Sequence, residues 1–169
     1  MTTNALPATV TIDAVVEEFL AFQRERLNQT DIDFYAQVLR FFRLSVNGHA
    51  HTKLDRDERA FWHQYRVPGR GYSRRFSTLF GPEKMPAEVK YFFRHFLGKY
   101  AYVGEEFERR APGILHEFFS WMVREKHIPA VDIEKLFPKK KPKKKDKPRE
   151  SMPYAVPLSR REKTRTLLH

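Results

Sequence analysis

The chain has 169 residues, and 32 Lys+Arg against 21 Asp+Glu give it a formal net charge of +11. Residues 1–137 hold 20 basic and 18 acidic side chains and residues 138–169 hold 12 and 3, so a nearly neutral body carries a strongly basic tail. The absence of cysteine excludes a disulfide scaffold, a thiolate nucleophile and any Cys-based metal site.

Residues 1–10 have neither the basic nor the apolar part of a secretory signal, and no run approaches the ~20 apolar residues of a membrane span. A cytoplasmic protein is expected. Residues 12–27 form the first periodic stretch: Ile12, Val15, Val16, Phe19, Leu20 and Leu27 recur at helical spacing, with Thr11 as N-cap and Asp13 in the first turn. A second helix is predicted from Thr30, with Asp33 completing a capping box, through Ile32, Tyr35, Leu39, Phe42 and Val46 to a stop at Asn47-Gly48. Phe34, Val38 and Phe41 widen its apolar stripe.

Residues 49–86 are less regular. A helix fits 55–65, with Phe61, Trp62 and Tyr65 on one side; Val67-Pro68-Gly69-Arg70-Gly71 reads as a loop. Tyr72, Phe76, Leu79 and Phe80 are helically spaced up to Gly81-Pro82. Pro86 opens a third main helix carrying Val89, Phe92, Phe93, Phe96, Leu97 and Tyr100. A short helical turn at 105–110 is expected to break at Ala111-Pro112-Gly113, and Pro112 to open a fourth main helix ending near His127. No segment alternates as a strand would. The fold class is therefore all-α: a compact orthogonal bundle of four main helices with an insertion at about 47–86. Phe19, Leu39, Phe42, Phe92, Phe96, Phe118 and Met122 are the predicted common core. The tail is expected to be disordered, with a short helix over 158–168.

Two stretches also carry a resemblance. Residues 19–27 (FLAFQRERL), followed by Thr30, Tyr35, Leu39 and Phe42, resemble the opening of the core-binding domain of tyrosine recombinases, the phage integrase family. Residues 118–128 (FFSWMVREKHI) are similar to that domain's last helix. Pro129-Ala130, Ile133, the Lys/Pro-rich stretch, Met152-Pro153, residues 158–162 (LSRRE) and Leu167-Leu168 resemble the connector into the catalytic domain. The insertion is longer than such domains carry. The resemblance implies a DNA-gripping domain from the machinery of DNA integration and recombination. The family's catalytic Arg, Lys, His, Arg and Tyr belong to the domain that follows, so the chain is expected to bind without catalysis.

The residues themselves point the same way. Lys139, Lys140, Lys141, Lys143, Lys144, Lys145, Lys147 and Arg149 place eight cations in eleven residues, interleaved with prolines that keep the backbone extended. Such a run can neutralise several phosphates and release counterions. Duplex DNA is the expected partner; RNA, the ribosome or an acidic protein bound by a helical interaction module is the alternative. Arg70, Arg74 and Arg75 beside Tyr72 and Phe76 form a second candidate, in which guanidinium groups grip phosphate and an aromatic stacks, or the aromatics are core and the arginines face water. Lys90 and Arg94 share a helix face opposite Phe92, Phe93 and Phe96 and are either a third contact or a solvated face.

No phosphate loop, nucleophile elbow or cofactor motif is present. Glu105, Glu106 and Glu108 crowd a helix start, where the macrodipole favours acids without any catalytic role. His49, His51 and His63, near Asp55 and Asp57, lack zinc spacing and read as solvated loop histidines. No metal, cofactor or small-molecule substrate is implied.

Overall fold

The structure is a computed structural model that describes residues 9–100 and 103–137. The tail from 138 onward, with its predicted helix and Tyr154, lies outside the described residues.

Helix α1 (Ile12–Arg24) forms for the reason predicted: the Thr11 hydroxyl accepts the Ala14 N–H at 3.2 Å, and Ile12, Val15, Val16, Phe19 and Leu20 are buried along one stripe. It ends at Arg24, and the N–H groups of Arg26 and Leu27 turn back onto the Gln23 carbonyl. Helix α2 (Gln29–His49) starts earlier than the Thr30 cap anticipates. Asn28 caps it, accepting the Asp31 N–H at 2.9 Å. Asn outranks Thr as a cap, which leaves Thr30 inside the first turn. Asp33 accepts from the Gln29 side chain instead of closing a box. Nor does α2 stop at Asn47-Gly48: the Asn47 side chain accepts the Ser77 N–H at 2.8 Å, and the backbone continues past His49 into a 3₁₀ turn, Ala50–Lys53.

Within the insertion, α3 (Arg56–His63) carries a full capping box between Asp55 and Glu58. An antiparallel hairpin follows, β1 (Arg66–Val67) and β2 (Gly71–Tyr72), with Arg66 opposite Tyr72 and Val67 opposite Gly71. Strands of two residues cannot display alternation, so the sequence carries no period-2 signal here. The helix suggested from Tyr72 does not form, because Tyr72 belongs to β2; only Phe76–Thr78 makes a 3₁₀ turn, yet Phe76, Leu79 and Phe80 are buried as their spacing suggests.

The third main helix is not uniform. A 3₁₀ turn, Pro86–Glu88, leads into α4 (Val89–Tyr91), a π-helical turn (Phe92–Phe96) and α5 (Leu97–Tyr100). In the π turn the Leu97 N–H reaches back to the Phe92 carbonyl, which rotates the following side chains relative to an α-helix. Phe92 is fully buried, whereas Phe96, predicted as core, is only partly so.

Helix α6 (Glu105–Arg124) runs through Pro112 without a break. Pro in a helix interior costs ~3 kcal/mol and Gly113 about 1 more. Phe107, Ala111, Ile114, Leu115, Phe118, Phe119, Trp121 and Met122 are all buried along α6, and at ~1.5–3 kcal/mol per large apolar side chain this burial outweighs both penalties. α6 ends at Arg124 with Glu125 as its C-cap, three residues short of His127. Lys126 adopts φ 62°, its N–H bonds the Val123 carbonyl and the His127 N–H bonds the Met122 carbonyl. This is a Schellman stop with Lys where Gly is usual. A short α7 (Ile133–Leu136) completes the described elements.

Apart from the hairpin the fold is all-α. The Phe19 ring lies 5.0 Å from Phe118 and 5.3 Å from Trp121; Phe42 lies 5.3 Å from Phe92 and 5.9 Å from Phe119. One polar link crosses this core: Glu117 on α6 accepts from Gln23 on α1 at 2.7 Å and from the Tyr35 hydroxyl on α2 at 2.6 Å. Burial, followed by the Glu117 contact, pushes the Tyr35 hydroxyl up to about 12. Among the described residues no helix is long and apolar enough to cross a membrane.

Candidate nucleic-acid interface

The hairpin is an arm with a fixed root and an open tip. At the tip, the Arg70 N–H bonds the Val67 carbonyl at 3.0 Å around Pro68 and Gly69, the latter at φ 72°. Pro followed by a residue of positive φ is the signature of a type II turn. Gly71 follows at φ 82°, and a Cβ built at Gly69 or Gly71 would meet nothing within 4 Å. At the root, Tyr72 stacks on Trp62 with centroids 4.1 Å apart and planes 16° apart, and its hydroxyl lies 3.2 Å from His63 Nδ1. The Ser73 N–H and hydroxyl both donate to the Tyr65 carbonyl. Trp62 is buried and edges onto Phe76 and Phe80, so the root is continuous with the core.

This arrangement decides between the two readings of Tyr72 and Phe76. Phe76 is core, and Tyr72 is half-buried with one face stacked on Trp62. The arginines are nonetheless exposed. Arg70 stands in the turn, and Arg74 and Arg75 on the segment leaving β2. The structure adds Arg66 on β1, which the motif reading missed. Its signal was an absence: residues 59–82 contain five arginines and no acid. Among the described residues the side chains of Arg66, Arg70, Arg74 and Arg75 make no ion pair or hydrogen bond. Some cations elsewhere are engaged, Arg43 with Asp13 and Glu17, Lys84 with Glu58, Arg110 with Asp31 and Glu106, while others such as Lys90 and Arg94 are exposed like those of the arm. The Arg110 hydrogen bond holds the Asp31 carboxyl below its usual range.

Lys90 and Arg94 are also exposed but belong to α4 and the π turn. No hydrogen bond, ion pair or ring stack among the described residues joins them to the arm. Lys139, Lys140, Lys141, Lys143, Lys144, Lys145, Lys147 and Arg149 lie outside the described residues.

Of the three histidines expected in a solvated loop, His63 is exposed at the end of α3, whereas His49 belongs to a structural clamp. Glu88 is 0 % exposed. Its Oε2 lies 2.8 Å from His49 Nδ1, and its Oε1 lies 2.8 Å from Lys53 Nζ, at ion-pair distance without hydrogen-bond alignment. Lys53 also donates to the Ala87 carbonyl, and His49 stacks on Tyr91 at 3.5 Å. The end of α2 is thereby tied to the start of α4. Partial burial, and then the charge of His49, lower the pKa of neighbouring His51. Among the described residues no three His, Asp or Glu side chains group as metal ligands would. The clefts beside His49 and Tyr91 and beside Phe34 and Phe107 hold about 190 and 240 Å³, below the ~300 Å³ at which small-molecule pockets begin.

No protein-family model matches the chain, and neither a curated protein nor a solved structure matches it.

Proposed function

We propose that the chain is a DNA-binding module, akin to the core-binding domain of tyrosine recombinases, that holds duplex DNA by its phosphate backbone and acts by binding alone. The observation that carries this reading is the arm: four exposed arginines clustered in a stretch free of acids, on a root fixed to the core. The backbone that carries these arginines is already fixed, so meeting phosphate costs the ordering of the side chains alone. The eight cations of residues 139–149 supply the larger share of charge. The buried Glu88 and the half-buried Glu117 support binding over chemistry, since both are held by neighbouring donors or cations. Among the described residues the exposed large hydrophobics are Val10 and Leu44, too few for the apolar patch that a helical protein-interaction module would present.

The test is fluorescence anisotropy of the full chain on one duplex across a salt series. With about 4–6 phosphates neutralised, log K should fall against log salt with a slope of about −4 to −5. Changing the seven lysines of residues 139–147 to Gln should remove most of that slope. Changing Arg66, Arg70, Arg74 and Arg75 to Gln should remove about two units of it. A slope unchanged by both sets of substitutions would show that neither segment is the grip. Failure to bind at low salt would discard DNA as the partner in favour of an acidic protein. On a nicked duplex the chain should leave no covalent protein–DNA adduct on denaturing gels.

A further inference from the structure

Resting on the DNA-binding reading, we infer that the hairpin enters the major groove tip-first and that Arg70 reads guanine there. Paired strands lie about 4.8 Å apart before their side chains are counted. The major groove, about 12 Å wide, admits such a ribbon; the minor groove, about 6 Å wide, does not. The arm is also of the right length. From the Arg66–Tyr72 pair at the rim, one strand step of about 3.4 Å plus the turn carries the backbone part of the way. A long side chain at the turn spans the rest of the ~8.5 Å depth of the major groove. The residue at the turn therefore meets the base edges while the root stays at the rim.

Arg70 closes the turn, next to the Pro68–Gly69 tip, and is the one long side chain there. Arg66 at the start of β1 and Arg74 and Arg75 just beyond β2 sit at the root, at the height of the phosphates. The turn is narrow because Gly69 and Gly71 flank Arg70 with no side chains, and a Cβ at either would find only open space. Pro68 and the positive φ of Gly69 fix the turn, and the Trp62–Tyr72 stack fixes the root, so the backbone that carries Arg70 needs no ordering on binding. An arginine at the floor of the major groove finds its bidentate partner in guanine O6 and N7. The tail contacts, which touch only backbone, carry no such preference.

The experiment uses the full chain at about 0.1 M salt on two duplexes of one G·C-rich sequence, the second with every guanine replaced by 7-deazaguanine. The replacement removes N7 alone, leaving phosphates and minor groove unchanged. The wild-type chain should bind the substituted duplex about threefold to tenfold more weakly, one hydrogen bond of a bidentate pair being lost. Arg70→Ala should bind both duplexes equally, with an unchanged far-UV CD spectrum. Equal wild-type affinity for both duplexes, with the salt slope retained, would overturn the groove assignment and leave the backbone reading standing. A deaza effect that survives in Arg70→Ala would overturn the role of Arg70. Absence of binding to either duplex would overturn both readings.

Discussion

Replacing Phe92 and Phe96 separately by Ala tests the π-helical turn directly. An uninterrupted α-helix would put both rings on one stripe, one turn apart, and the two truncations would cost alike. In the structure Phe92 is fully buried, with Phe42 5.3 Å and Phe93 5.1 Å away, while the rotation of the π turn leaves Phe96 partly exposed. Phe92→Ala should therefore cost about 3–5 kcal/mol, the transfer of the ring plus an unrelaxed cavity. Phe96→Ala should cost about 1.5–2.5 kcal/mol, because less area leaves water and the gap opens to solvent. Urea denaturation of both variants, followed by far-UV CD at constant m-value, measures the difference. Equal losses would mean that Phe96 is as deeply packed as Phe92 and that the helix is in α phase.

Lys126→Gly should stabilise the chain by up to about 1 kcal/mol in the same assay, since the left-handed C′ position favours Gly. Lys53→Met should cost about 2–3 kcal/mol by leaving the buried Glu88 carboxylate with His49 alone, and adding Glu88→Leu should recover at least half of that. Tyr35 has its folded pKa raised to about 12. The stability it supplies is therefore complete below the unfolded value near 10 and is lost as pH rises towards 12. Thermal melts should show a steeper alkaline fall in wild type than in Tyr35→Phe; parallel curves would contradict the assignment.

What could be read in advance follows from the range of the interaction responsible. The stripes of α1 and α2 and the start of α3 depend on neighbours three or four residues away, and all three emerge from spacing. Local rules misplace boundaries where two good signals compete, as with Asn28 and Thr30, or where a distant partner claims a capping residue, as Ser77 claims Asn47. Pro112 reads as a breaker because its cost is local while the compensating burial is tertiary. Tyr72 reads as helical because its true partner, Trp62, belongs to the preceding element. The candidate site divides in the same way: Arg70, Arg74 and Arg75 were visible by composition, whereas Arg66 and the fixed root needed the hairpin. Glu88 looks like an ordinary helix-start acid until Lys53 and His49 are seen to close on it.

The Gln23–Glu117–Tyr35 link bears on how the chain is made. Synthesis delivers α1 and α2 first, but the acceptor for Gln23 lies 94 residues downstream and that for Tyr35 lies 82 downstream. At roughly 5–20 residues per second, the two early helices wait about 5–20 s for α6 to leave the ribosome. The Ile12 N–H likewise waits for the Phe80 carbonyl. During that interval the stripe of Ile12, Val15, Phe19 and Leu20 lacks its α6 partner, so the nascent chain leaves part of its apolar surface uncovered. Slower translation of the codons for 105–124 should lengthen the exposure and lower the soluble yield.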